Sequence, residues 1–394
     1  MKKLFRKIHL WLSVPFGIII TLICFSGSTL VFEKEITELC RPELYFVDEV
    51  KGECMPLDKL MESVAATLPD SVTITGVTVS PDSRRTYQVS LSKPRRASVY
   101  VDPYTGEVKG RNERLPFFDT MFHLHRWLMG AAQSKDGGIS VGKFQVGTST
   151  LVLVIILITG ILMWLTNKHK PLTKSLTISF TKGWPRFWHD LHVAGGIYAT
   201  IFLLALALTG LTWSFSWYRN GFYGMFGVEA SAGAHGGGAT RGENAQKEHS
   251  QEARPHHASQ DSVPRRTRHR SPFAQWQEVY EGLAQAHPGY RQITISDGSA
   301  SVVPSGRNSL RSGDRFDFDA RTGNITGNQP YSEQDKSTKV RSAVYTVHVG
   351  SWGGILTRIL TFLSALLGAT LPLTGYYLWI KRLIRKSAHK HPEA

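Results

Sequence analysis

The sequence predicts a mainly α membrane protein: a four-helix transmembrane bundle built from a duplicated helix–domain–helix unit, with two small α+β domains on one side of the bilayer. Three observations predict it. Apolar residues are segregated into four long runs, basic residues gather beside those runs on one side, and short signals recur in the same order in both halves.

The 394 residues are 42% hydrophobic, a soluble-looking average that conceals apolar runs at 8–32, 146–165, 193–215 and 355–380. Each run has at least the roughly 20 residues that cross a ~30 Å hydrocarbon core. The first follows Met1-Lys2-Lys3-Leu4-Phe5-Arg6-Lys7, which suits a signal peptide, but it is too long for one and no small-x-small site closes it cleanly. An uncleaved first helix is expected.

A net charge of +15 would suit a nucleic-acid partner, yet its placement argues for membrane topology and no nucleic acid. Lys2, Lys3, Arg6 and Lys7 precede the first run; Lys168, Lys170, Lys174, Lys182 and Arg186 join the second to the third; Lys381, Arg382, Arg385, Lys386 and Lys390 follow the fourth. Short basic segments stay in the cytoplasm. Both termini are therefore expected inside, with the long segments 33–142 and 219–345 outside. The order predicted is a first transmembrane helix at 1–32, an outer domain at 33–116, an outer helix and second span at 117–166, a cytoplasmic loop at 167–186 and a third span at 187–218. A polar outer tether at 219–272, a second outer domain at 273–344, a fourth span at 345–381 and a cytoplasmic tail at 382–394 complete it.

Recurring signals point to duplication. Val101-Asp102-Pro103-Tyr104-Thr105-Gly106 answers Phe318-Asp319-Ala320-Arg321-Thr322-Gly323, and Thr159-Gly160-x-x-x-Trp164 answers Thr374-Gly375-x-x-x-Trp379. His9 precedes Gly27 by 18 residues, as His192 precedes Gly210. In each outer segment a helix is expected before strands: 57–68 before 72–79, 86–91 and 97–101, then 273–286 before 291–295, 300–303 and 315–319. The Asp-x-x-Thr-Gly element has the residues of a structural turn, with Asp bonding nearby N–H groups and Gly at positive φ. Segment 229–272 carries almost no large apolar residue, and its five histidines (His235, His249, His256, His257 and His269) suit a solvated linker better than a metal-collecting tether. Cys24 reads as a packing residue, while spacing leaves open whether Cys40 and Cys54 pair.

Ionisable residues at membrane boundaries are costly and usually face the bundle interior. His9 and His192 fall at the cytoplasmic ends of the first and third spans, and His125 and His348 just before the second and fourth, on the opposite side. Each pair draws one histidine from each half. Two imidazoles fill both axial positions of a tetrapyrrole iron and leave none for dioxygen, which suits electron transfer. Singly, each histidine could equally cap a helix or meet a headgroup. Within each cluster the ligand stays open, because His123 is two residues from His125 and His189 three from His192; on a helix, His189 is the better substitute. Arg126, Arg358 and Lys143 are candidates for holding haem propionates or for snorkelling to lipid phosphate. Gly17, Gly195, Gly196, Gly350, Gly353 and Gly354 would let a bulky ring approach the backbone, or simply allow close helix packing. No nucleotide loop, Cys-x-x-Cys-His or His-Glu-x-x-His motif occurs, so electrons must come from a membrane quinol or a cytoplasmic reductase.

These residues resemble the PepSY-associated transmembrane proteins, which include iron-regulated membrane proteins and siderophore-iron reductases. The resemblance rests on Ile8-His9-Leu10-Trp11-Leu12, His123-Leu124-His125-Arg126-Trp127-Leu128, Asp190-Leu191-His192, Val347-His348-Val349-Gly350, the two Thr-Gly-x-x-x-Trp ends, and Val101-Asp102-Pro103-Tyr104-Thr105-Gly106-Glu107-Val108 as the closing turn of a PepSY domain. It implies PepSY-like periplasmic domains and an inner-membrane protein with two noncovalent haem b groups that passes electrons outward to a ferric siderophore, releasing ferrous iron. The segment 133–142 and the long tether depart from the family pattern. A different class, a haem-free PepSY-domain regulator or scaffold that binds a periplasmic protease, fits the same residues; solute transport is disfavoured because no span carries a buried acid.

Overall fold

The computed structural model describes residues 2–94, 96–132, 138–166, 175–229 and 271–390. The tether histidines and the lysines at 168, 170 and 174 lie outside the described residues, as do residues 133–137 of segment 133–142. Helix α1 (Lys2–Leu30) is followed by the short α2 (Glu33–Cys40) and α3 (Pro42–Tyr45), then α4 (Leu57–Thr67) and strands β1 (Ile74–Val79), β2 (Tyr87–Leu91), β3 (Ser98–Val101) and β4 (Val108–Arg111). Next come α5 (Pro116–Trp127) and α6 (Val141–Leu165). Helix α7 (Trp184–Asp190) runs through a π-helical turn at Leu191–Gly195 into α8 (Gly196–Ser214), and α9 is Ser216–Gly224. The second outer segment repeats the order helix then four strands: α10 (Trp276–Ala286), β5 (Tyr290–Ser296), β6 (Ser299–Pro304), β7 (Asp314–Phe318) and β8 (Ile325–Gln329). Helices α11 (Lys336–His348) and α12 (Gly354–Lys390) end the chain.

Four helical stretches are long and apolar enough to cross a membrane: Lys3–Leu30, Val141–Leu165, Trp184–Ser214 and Gly354–Arg385. They overlap all four predicted runs. The second of these starts where the Ser140 hydroxyl accepts the Lys143 amide at 3.3 Å, and α11, before the fourth, is capped by the Asp335 carboxylate accepting the Thr338 amide at 2.9 Å. At mid-bundle Ile20, Cys24, Leu157, Ala199, Leu203 and Ala369 form an apolar plug from α1, α6, α8 and α12.

The eight strands form one antiparallel sheet in the order β4-β3-β2-β1-β5-β6-β7-β8. The two outer segments thus meet at a β1–β5 seam, where Gly76 pairs with Ser296 and Val79 with Ile293. Alternation explains the single core. Val77, Val79, Val89, Val101, Ile293, Ile295 and Val302 point to one face and are fully buried under α4 (Leu60, Met61, Val64) and α10 (Trp276, Val279, Leu283). Each such aliphatic side chain stabilises the fold by about 1.5–3 kcal/mol relative to exposure. Between the covering helices, the Leu57 amide donates to Gln277 Oε1 at 2.8 Å.

The expected Asp-x-x-Thr-Gly turns close both outer hairpins. Asp102 Oδ1 accepts the Tyr104 amide at 2.8 Å and Asp319 Oδ1 the Arg321 amide at 2.7 Å, with Gly106 at φ +75° and Gly323 at φ +74°. Cys40 and Cys54 are exposed free thiols, and Cys24 is buried in the plug.

Candidate functional site

Side chains of an α-helix lean back over the preceding turn, so a glycine leaves uncovered the carbonyl four residues before it. Four Ser/Thr-Gly pairs use this. Ser26-Gly27 on α1, Thr159-Gly160 on α6, Thr209-Gly210 on α8 and Thr374-Gly375 on α12 each receive one imidazole. A methyl added at Gly27 would lie 2.8 Å from His125 Cε1, at Gly210 3.0 Å from His348 Cε1, at Gly375 3.3 Å from His192 Cε1 and at Gly160 3.5 Å from His9 Cε1.

Over each glycine the Nδ1–H donates to the uncovered carbonyl: His9 to Ile156 O at 3.1 Å, His125 to Ile23 O at 2.9 Å, His192 to Leu371 O at 3.1 Å and His348 to Leu206 O at 3.1 Å. That assigns the tautomer. Each Nε2 keeps its lone pair, and no described residue bonds it. The rings then face one another in two half-buried pairs, His9 with His192 at 6.4 Å between centroids and His125 with His348 at 6.1 Å. On α1, His9 and the Gly27 seat of His125 are 18 residues apart, about 27 Å at 1.5 Å per residue. The pairs therefore occupy opposite ends of the bundle, with the apolar plug between them.

The neighbouring histidines go elsewhere. His123 turns its Nε2 toward Asp119 at 3.8 Å and its ring against Trp127 at 5.0 Å. His189 bonds Asp190 Oδ1 at 3.2 Å. Asp190 is a buried carboxylate within the third span, where the sequence reading expected no buried acid; Arg186 Nε at 2.7 Å and the Ser179 amide at 3.4 Å also satisfy it. His192 itself falls in the π-helical turn, an irregularity frequent at functional sites. Burial, opposed by the bond to Ile23 and reinforced by the Arg126 charge, holds the His125 pKa below its ordinary value.

Of the candidate cations, Arg358 is spent on another contact: it grips Glu35 at 2.5 and 2.6 Å and donates to Val31 O at 2.5 Å, so it is no free propionate anchor. Arg126 lies over Trp127 at 5.0 Å and Phe122 at 5.4 Å, next in sequence to His125. The glycines singled out from sequence are also not the ones that meet the imidazoles: Gly17 accommodates the Tyr376 ring, Gly350 Thr361 and Gly353 Thr357. Sequence reasoning missed the seats and Trp213, whose ring sits 5.0 Å from that of His348. The signal was available, since a hydroxyl residue before glycine occurs in all four spans, but Thr-Gly-x-x-x-Trp read only as a repeat marker.

No curated protein matches the chain. A family model, the PepSY-associated TM region, matches residues 6–382, nearly the whole length, and the chain belongs to that family.

Proposed function

We propose that this chain is an inner-membrane electron-transfer protein in which His9 with His192, and His125 with His348, would each hold one of two noncovalent haem b groups. The observation that carries the reading is the geometry of the pairs. Two imidazoles bonded to one metal through Nε2 at about 2 Å each have centroids roughly 6–6.5 Å apart, and the two pairs stand at 6.4 and 6.1 Å. Among the described residues no group of three or more His, Cys, Asp or Glu side chains could hold a bare ion. Two ligands per site suit a metal whose equatorial positions a tetrapyrrole already fills. When bound, the groups would supply one-electron transfer between a quinol or cytoplasmic reductase and a ferric siderophore, which hard oxygen ligands hold more weakly once it is reduced.

The chain's own residues supply position and charge. The carbonyl on each Nδ1–H fixes ring orientation and raises ligand basicity, as outer-shell acceptors do at metal sites generally. Arg126, next to His125, and Lys143 on α6 are the remaining described candidates for a propionate or an anionic chelate. The basic termini and loop favour a cytoplasmic location for His9 and His192, with the sheet in the periplasm. The repeated order of helix and four strands, together with seats used once per span, supports a duplicated module with PepSY-like halves.

Protein purified in detergent and reduced with dithionite should show a low-spin b-type spectrum that reoxidises when a ferric siderophore is added. Reduced bands unchanged by the chelate would remove the substrate assignment, and a pigment-free preparation from haem-replete cells would favour the regulator or scaffold reading.

A further inference from the structure

The four seats are alike in their glycine and carbonyl but not in their hydroxyl. Thr159 Oγ1 is 3.2 Å from His9 Nδ1, Thr374 Oγ1 2.9 Å from His192 Nδ1 and Thr209 Oγ1 3.2 Å from His348 Nδ1. Each threonine spends its own proton on carbonyls of its helix, Thr159 on Ile155 at 2.9 Å, Thr209 on Ala205 at 2.6 Å and Thr374 on Leu371 at 2.8 Å. Only oxygen lone pairs are left for the imidazole, so the Nδ1–H is shared between two acceptors. At the fourth seat the residue is Ser26, whose Oγ donates to Leu22 O at 2.6 Å and Ile23 O at 3.1 Å and makes no bond to the ring; His125 has the Ile23 carbonyl alone. The His9–His192 pair thus has a hydroxyl acceptor on both imidazoles, the His125–His348 pair on one.

We infer that these hydroxyls are positioning residues that set the electron affinity of the metal on each histidine pair, and that serine at position 26 biases it toward the His125–His348 pair. The inference rests on the haem reading above. An acceptor on Nδ1–H pulls the proton from the ring, makes Nε2 a stronger donor and favours the more oxidised metal. Acceptors on both rings lower the potential at the His9–His192 end. One fewer raises it at the other end, so the downhill direction runs toward the sheet. The four ligands are chemically identical, so any bias comes from the groups around them.

Potentiometric titration of the full chain in detergent, followed in the visible band, tests this with wild type, S26T, T374V and T374S. Wild type should titrate in two waves. S26T should lower only the higher wave and narrow the gap; T374V should raise only the lower wave, and T374S, which keeps the oxygen, should leave it in place. Unmoved waves in both S26T and T374V at two haems per chain would overturn the inference and leave the haem reading intact, as would a T374S shift equal to that of T374V. Should S26T fail to fold, the T374V and T374S comparison decides alone. A wild type without haem overturns both the inference and the reading beneath it.

Discussion

An imidazole among transmembrane helices needs an acceptor for one nitrogen and a task for the other, because an unmatched polar group in hydrocarbon costs several kcal/mol. The glycine seats meet the first need four times over. They also separate true partners from bystanders: H192A and H348A should each lose about one haem equivalent per chain in a pyridine haemochrome assay, whereas H189A and H123A should keep both, since those rings turn to Asp190 and Asp119. Seats differ in tightness. G27A drives a methyl to 2.8 Å from His125 and should lower haem retention markedly, while G160A leaves ordinary contact at 3.5 Å from His9 and should retain it. Equal losses in the two variants would contradict the seat geometry. At this scale the sequence made the four histidines legible through their place in the repeat, but their acceptors were not, because a carbonyl on another helix leaves no mark in residue identity.

Helices and strands differ in how far they could be read in advance. A 25-residue run such as α6 is specified by hydrocarbon thickness alone. Strands β4 and β8 escaped notice because Val108–Arg111 and Ile325–Gln329 carry one large apolar residue each, and Ile325 is exposed. The β1–β5 seam was equally hidden, as pairing between residues more than 200 positions apart follows from the assembled core rather than from local pattern. Between the outer segment and the bundle, Arg358 on α12 holds Glu35 on α2 in a bidentate pair. The Arg358 hydrogen bond keeps the Glu35 carboxyl below the usual carboxylate range, against the opposing pull of burial. Its folded pKa being depressed, the pair contributes stability above the ordinary carboxylate value and loses it as pH falls through the folded one. Because the Glu35 side chain is 43% exposed, solvent screening limits the contribution to about 1 kcal/mol or less. Thermal midpoints measured from about pH 6 down to about pH 3 should therefore fall more steeply for wild type than for E35Q. Parallel curves would show that the pair does not stabilise the junction.

Across the whole molecule one plan accounts for the charge, the repeat and the paired rings. The excess of 15 positive charges sits largely in short segments at one end of the spans and in the 219–272 segment, a distribution that suits topology rather than nucleic-acid binding. Four apolar helices, one sheet shared by both segments that carry strands, and imidazoles meeting from opposite halves give a bundle with a comparable site at each end and a mainly apolar plug between. The central claim is that the facing imidazoles share a metal, and the most direct test is the haem-to-chain ratio of the purified full-length protein together with its low-temperature electron paramagnetic resonance. Two haems per chain are expected, each with a low-spin bis-imidazole ferric signal. Protein from haem-replete cells that carries no haem, or whose iron is high-spin and five-coordinate, would contradict it.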